Sequence, residues 1–386
     1  MQGIIEAFTL PRWVEAEPGC IVRAGAWAAR FGRRAFVVSG RSSARKFGLL
    51  DKIEKSLKNS GLPYELFERV EAEPALETAE EAARQANKAG CDVFIGVGGG
   101  SVIDTVKLVA MLIDNPGPAE DYQLGRCNWT GCCKPVIAIP TTAGTGSEAT
   151  KVSVMTNRRL KVKKALYSWE MVATVALLDG EACVNMPVEV TRDTGLDALG
   201  QAIEGYLSTA ANPLTMAAAA RAVTLVRENL PAAVADGSDV QARHNMLIAA
   251  LLGGVAIDTG VGLGHEMAMA VGSFKRLSHG LLVGVLTAPC LEACLGWADR
   301  RLAELAWHFG CPPDEDPQKM ARSFIAKIRR FGQEIGLPAT LGELGVSRAE
   351  IGPILEASKL STNIRTNPRP LDDQVRTAAL VAAIEG

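Results

Sequence analysis

A carboxylate and an amide one helical turn apart, with two glycine-flanked histidines downstream, are the residues of this chain best suited to chemistry. Asp197 and Gln201 stand at i and i+4 within 194–206, a stretch that reads as the first long helix of a helical region. At that spacing their side chains lie one above the other on a single face. An anionic oxygen and an amide oxygen presented together suit a divalent cation, provided something opposite completes the shell. His265, in Gly262-Leu263-Gly264-His265, and His279, in Leu277-Ser278-His279-Gly280, are the candidates, and the whole chain has only 4 histidines. Spacing alone fits equally a polar helix face and two ordinary histidines.

A second chemical feature lies earlier. Gly98-Gly99-Gly100-Ser101 leaves an apolar run, 92–97, and enters a helical pattern, 102–112. Glycines let a backbone approach a phosphate, and the first turn of a helix supplies free N–H donors. The G-x-G-x-x-G fingerprint fails here, because Ser101 stands where Gly or Ala is needed, and the match at Gly144-x-Gly146-x-x-Ala149 lacks the acidic residue that should follow. Tight strand-to-helix packing explains both turns as well.

The surrounding elements alternate. Apolar strands are predicted over 35–39, 64–68, 92–97 and 135–139, with helices over 46–59, 76–88 and 102–112 in the three gaps between them. Residues 1 to about 30 read as an edge hairpin. Strand–helix alternation predicts a doubly wound parallel sheet, a dinucleotide-binding α/β domain over 1–185. From 186 to 386 only alanine- and leucine-rich helical patterns follow, predicting an all-helical domain, with Met186-Pro187 at the boundary.

Composition narrows the function classes. The 386 residues carry 48% hydrophobic and 22% charged residues, ordinary for a globular protein, and a net charge of -2 leaves no basic excess for nucleic acid. The basic run Arg158–Lys164 reads as a solvated hairpin. Glu6, Glu15 and Glu17 interrupt any secretory signal, and the apolar stretch 281–298 carries Pro289 and Glu292, so it reads as buried helix and not as a membrane span. Among the 9 cysteines only Cys132-Cys133 and Cys290/Cys294 cluster, and neither pair gives a four-ligand zinc pattern, which fits reduced thiols and a cytoplasmic location.

The motifs together resemble the iron-containing (group III) alcohol dehydrogenases. The resemblance rests on Asp-Ala-Leu-x-x-Ala-Ile-Glu-x-Tyr from Asp197, Gly-x-Gly-His, His-Gly, Gly98 to Lys107, and Pro140 to Glu148, and it runs from about Pro11 to Asn367-Pro368-Arg369. It implies the dehydroquinate-synthase-like architecture, a small alcohol or aldehyde as substrate, and a homodimer paired through N-terminal strands. It further implies a metal held by Asp197, His265 and His279, which would also be the catalytic set. Gln201 stands where the family has a histidine ligand, and Met269 where it has a second histidine close to the cofactor. An Asp, His, His, Gln set is compatible with Fe²⁺, Zn²⁺ or Mn²⁺. Gly98, Gly99, Gly100, Ser101, Asp104, Thr141, Thr142, Thr145 and Lys163 would line the cofactor site, although Asp104 and Lys107 also fit an exposed helix pair.

NAD-preferring relatives place an Asp at the end of the first strand. This chain has Gly40, then Arg41, Ser42 and Ser43, a guanidinium and hydroxyls suited to a 2′-phosphate. The expectation is therefore NADP(H), with NAD(H) as the other candidate. Alternatives are a metal-independent reductase similar to maleylacetate reductases, a dehydroquinate-synthase-like lyase, and a silent nucleotide-binding paralogue. Trp129, Trp169 and Phe274 could wall a substrate pocket or belong to the core.

Overall fold

The computed structural model describes residues 8–359 and 365–386. Contacts divide the chain into two compact units, Ala7–Asn185 and Met186–Gly386.

The first unit is built on a six-stranded sheet in the order β1-β8-β5-β4-β2-β3. Its strands are β1 (Trp13–Ala16), β2 (Ala35–Gly40), β3 (Tyr64–Val70), β4 (Val93–Gly98), β5 (Val136–Pro140) and β8 (Val175–Leu178), all paired in parallel. Between them run α1 (Ala24–Ala29), α2 (Ser43–Lys46), α3 (Leu49–Asn59), α4 (Leu76–Ala89), α5 (Gly100–Leu112) and α6 (Ala119–Gln123). Alternate strand residues point to opposite faces. Val37, Ile95, Ile137 and Val175 therefore enter one core with α1 and α3, and Phe36, Phe94 and Val136 another with α4 and α5. Both faces are covered, as a parallel sheet requires. From β2 the chain steps to β3 on one side, then to β4 on the other. The carboxyl ends of β2, β4 and β5 thus lie side by side at the crossover where such sheets bind ligands. β6 (Val152–Asn157) and β7 (Val162–Tyr167) form the antiparallel hairpin expected around the basic run.

Two local expectations fail. No hairpin opens the described part of the chain: Trp13–Ala16 pairs in parallel with Val175–Leu178. The chain then turns at Gly19 (φ 84) into α1, whose Ala24 and Ala28 share the core with Ile21. Residues 1–7 lie outside the described part. The helix predicted over 46–59 forms only from Leu49 to Asn59, because Gly48 adopts φ 71 and separates it from α2, which ends at Lys46. A left-handed residue cannot continue a right-handed helix.

The second unit is helical, with no strand among its described residues. It contains α7 (Val188–Leu207), α8 (Pro213–Ala235), α9 (Val240–Ala256), α10 (Leu263–Phe274), α11 (His279–Glu292), α12 (Asp299–His308), α13 (Pro317–Glu334), α14 (Ile351–Ser358) and α15 (Asp373–Glu385). α7 is central, and glycines set how closely its neighbours approach. A Cβ at Gly195 would meet the Leu230 side chain of α8, and one at Gly200 the Val283 side chain of α11. α11 is buried from Gly280 to Leu291, as expected of that apolar stretch. The stretch Val240–Thr259 is long and apolar enough to cross a membrane by composition, yet most of it is buried within the protein.

Candidate metal centre and cofactor loops

Asp197 and Gln201 occupy successive turns of α7, and both are buried (4% exposed each) where a carboxylate is rarely left without a partner. His265 reaches Asp197 from the first turn of α10. Its Nε2 lies 3.3 Å from Asp197 Oδ1. His279 begins α11, with its Nε2 3.6 Å from the same oxygen. One donor atom from each of Asp197, His265 and His279 falls within 4.8 Å of the others, the only such cluster of histidine, cysteine or carboxylate groups among the described residues.

The histidines are placed by different devices. For His279 it is a close approach: a Cβ on Gly280 would collide with the Asp193 carbonyl, so only glycine lets α11 start against α7. Ser278 caps α11 by accepting from Leu281 N (3.2 Å), and its hydroxyl donates to the Asp193 carboxylate, one turn before Asp197.

For His265 the device is Glu204, which lies two turns beyond Asp197 on α7. Its Oε1 accepts from Gly264 N (2.7 Å) and His265 N (3.2 Å), and its Oε2 from Gly262 N (2.8 Å). These are the free N–H groups at the start of α10, where a carboxylate is favoured. The same Oε2 lies 2.6 Å from His265 Nδ1. An ionised carboxylate only accepts, so Nδ1 carries a proton and Nε2 is directed at Asp197. Burial pushes the Glu204 carboxyl up, but the imidazole and the N–H donors outweigh it and hold it below the ordinary glutamate value. Burial likewise pushes His265 down, yet Glu204 and Asp197 overcome it and raise the imidazole to about 10. Two carboxylates around one imidazole form a strongly anionic site that a proton or a cation must neutralise.

The residues present fit a divalent cation. A buried carboxylate, two imidazoles directed at it and an orienting carboxylate behind one of them are the donor set and surroundings of a transition-metal site. The His265 Nε2 atom is buried without a hydrogen-bond partner in the protein. Gln201, expected as the fourth donor, touches Asp197 differently from the histidines: its Nε2 donates to Oδ2, at 3.2 Å. Met269, one turn after His265 on α10, is 40% exposed and offers no proton.

In the first unit, the expected cofactor residues gather at the carboxyl ends of β2, β4 and β5. Gly98 ends β4 with φ 159, and α5 starts at Gly100. Thr141 N donates to Gly98 O (3.0 Å). Added Cβ atoms would stand 3.1 Å from Thr142 Oγ1 at Gly99 and 2.7 Å from Thr145 Oγ1 at Gly100. The two loops therefore pack backbone against threonine, and leave the α5 N-terminus available to an anion. Gly40 has open space: a Cβ there would find nothing closer than Val70 O at 3.8 Å. Arg41, Ser42 and Ser43 after it are exposed.

Other expected cofactor residues are engaged elsewhere. The Ser101 hydroxyl donates to Ala72 O, and Lys163 is an exposed residue of β7 whose Nζ lies 4.0 Å from Glu73. Asp104 accepts from the Ser147 hydroxyl and from Val154 N (3.0 Å). Lys107 is fully buried and donates to Ser147 O (2.7 Å), Ser147 Oγ (3.0 Å), Thr150 O (3.0 Å) and Thr150 Oγ1 (3.1 Å). The pair is thus no exposed helix decoration; it ties the loop after β5 to α5. Burial lowers Lys107 to about 8 and raises the neighbouring Glu148 to about 7.

None of the three candidate pocket aromatics is a fully buried core residue. Trp129 stacks on Tyr122 at 4.0 Å and donates to Tyr167 O, Trp169 is exposed beneath Lys151, and Phe274 is exposed at the end of α10. Glu204 is the residue the site reading of the sequence missed. The available signal was its i+7 spacing from Asp197, which returns it to the same helical face, ahead of a Gly-x-Gly-His start to another helix.

Comparison with known proteins shows the family. The family described as iron-containing alcohol dehydrogenase matches residues 11–180, and its C-terminal counterpart matches residues 191–384. The NAD-dependent methanol dehydrogenase of Bacillus methanolicus is 31% identical over 91% of this chain and 92% of its own. The 1,3-propanediol dehydrogenase of Klebsiella pneumoniae is 34% identical over 89% of each. A crystal structure of 1,3-propanediol oxidoreductase superposes with a TM-score of 0.94 at 31% identity, covering 98% of this chain and 100% of that one. The chain belongs to the iron-containing alcohol dehydrogenase family, and is an oxidoreductase of that architecture.

Proposed function

We propose that this protein is an NADP(H)-preferring, divalent-metal-dependent alcohol dehydrogenase that also works as an aldehyde reductase on small substrates. The observation that carries the reading is the convergence of Asp197, His265 and His279, with Glu204 fixing the tautomer of His265. Asp197, His265 and His279 would hold the cation, with Fe²⁺, Zn²⁺ and Mn²⁺ all suited to a nitrogen and oxygen donor set. When bound, such a cation supplies Lewis acidity to a substrate oxygen, and the nicotinamide supplies or accepts the hydride.

The chain's own residues supply placement. Burial of Asp197 and His265 keeps water from the donors on the α7 side, while His279, with 40% of its side chain exposed, stands at the open side. Met269, one turn after His265 on α10, is apolar and exposed, so a proton has to be exchanged with water or with the substrate's surroundings and not with a side chain at that position. Support for NADP(H) comes from Gly40: the position has space for a carboxylate but holds none, and the exposed Arg41 and Ser42 follow. By contrast Arg45 is committed to Glu54, Glu68 and Asp51. A cytoplasmic location is in keeping with nine cysteines that are all free thiols. The homodimeric state rests on family resemblance alone.

The test is steady-state oxidation of NADPH and NADH with a panel of small aldehydes, in chelated and metal-supplemented protein. Turnover that requires the metal and favours NADPH supports the reading. Absence of turnover with every aldehyde and metal would instead favour a nucleotide-binding paralogue without activity.

A further inference from the structure

The two oxygens of Asp197 face different partners. Oδ1 is the one the histidines approach, at 3.3 Å from His265 Nε2 and 3.6 Å from His279 Nε2. Oδ2 receives the Gln201 amide, whose Nε2 donates to it at 3.2 Å. The Gln201 carbonyl oxygen lies on the α9 side, 3.5 Å from where a Cβ on Gly253 would be. Turning the amide over would set its oxygen against Oδ2 at that same short separation. Two acceptors so placed repel, whereas the observed orientation gives the carboxylate a donor.

We propose that Gln201 is a positioning residue for Asp197 and not a fourth ligand, so that the cation is held by one carboxylate and two imidazoles. The inference rests on the metal-dependent reading above and refines it. The amide fixes the carboxylate plane by its hold on Oδ2, and presents Oδ1 to the cation side. A set of one carboxylate and two histidines leaves more coordination positions open to water or substrate oxygen than a four-ligand set does. Gln201 then belongs with Glu204 as a group that orients a ligand from behind.

Cobalt(II) titration of the metal-free chain tests this, because its visible ligand-field bands report the number and kind of ligands and need no turnover. The native chain should bind Co²⁺. Gln201→Met should bind it about 10- to 100-fold more weakly, as expected for an orienting partner, with unchanged band positions and intensities. Gln201→His should bring in a nitrogen ligand and alter the bands, and His265→Ala should alter or abolish them. Altered bands in Gln201→Met would overturn the inference while leaving the metal reading intact. Failure of the native chain to bind Co²⁺ would overturn both. Should Gln201→Met not fold, a crystal structure of the native chain soaked with Zn²⁺ decides: Gln201 Nε2 kept on Oδ2 supports the inference, and Gln201 Oε1 at a ligand distance of about 2.0–2.2 Å overturns it.

Discussion

Replacing Glu204 by glutamine removes one charge and changes almost no volume, yet the geometry predicts a large effect on metal retention. Each carboxylate oxygen accepts two donors: Gly264 N and His265 N on Oε1, Gly262 N and His265 Nδ1 on Oε2. A glutamine must place its NH₂ where one of those oxygens stood. On the Oε1 side it would oppose two backbone N–H groups that cannot move without unwinding the start of α10. On the Oε2 side it would oppose Gly262 N and Nδ1, and Nδ1 escapes only by giving up its proton. The neutral imidazole then carries hydrogen on Nε2, the nitrogen directed at Asp197, and can no longer offer that lone pair to a cation. Loss of such an orienting partner lowers metal affinity about 10- to 100-fold, or about 1.4–2.8 kcal/mol. The assay is competition for Zn²⁺ between a chelator of known affinity and the native or Glu204→Gln protein, with circular dichroism confirming the fold. Equal affinities in two folded proteins would refute the argument that Glu204 sets the tautomer.

Four other outcomes follow from the same structure. Gly40→Asp should cut kcat/KM for NADPH while sparing NADH: the site is open, and a carboxylate about 4 Å from a phosphate costs about 1–4 kcal/mol per charge pair between water-like and protein-surface screening. Better use of NADH than NADPH by the unmutated protein would refute the cofactor assignment. Gly99→Val should abolish nucleotide binding, read by fluorescence titration, because even its Cβ would stand 3.1 Å from Thr142; unchanged affinity in a folded variant would make the turn a packing feature only. Lys107→Met leaves four acceptors and Asp104 without their cation, so denaturant unfolding should show a loss of about 3–5 kcal/mol, and a loss below 1 kcal/mol would deny Lys107 that structural role. In metal-free protein His265 is held at about 10 against an ordinary 6.5. A raised histidine pKa contributes stability that is full below 6.5 and is lost as pH rises toward 10, so the melting temperature should fall across that window, and a flat profile would contradict it.

Much of this was legible in the sequence, for physical reasons that differ by element. The parallel sheet declared itself because short apolar runs alternated with helical patterns, and the Gly98–Gly100 turn because it joins one of each. Asp197, His265 and His279 were legible as residue types able to bind a cation, but only the packing of α10 and α11 on α7 brings them together. That packing depends on Gly200 and Gly280, which have no side chain to signal a contact. Glu204 stayed hidden because a glutamate within a helix ordinarily reads as solvated surface. The roles of Asp104 and Lys107 were ambiguous since an acid and a base three residues apart on a helix form an exposed pair as readily as a buried one. The opening hairpin failed because alternation over four residues does not say whether a strand's partner is adjacent in sequence or, as with Trp13 and Val175, far along the chain.

The claim on which the account turns is that Asp197, His265 and His279 hold a cation the reaction needs. Its most direct measurement is elemental analysis joined to NADPH-dependent aldehyde reduction, on the native protein as purified, after chelation, and after adding back Fe²⁺, Zn²⁺ or Mn²⁺, with His265→Ala alongside. Activity should disappear with the metal and return with one of these ions in the native chain, and should not return in His265→Ala. Full turnover by native protein verified to be free of metal would contradict the account, and would make this a metal-independent reductase on the same scaffold.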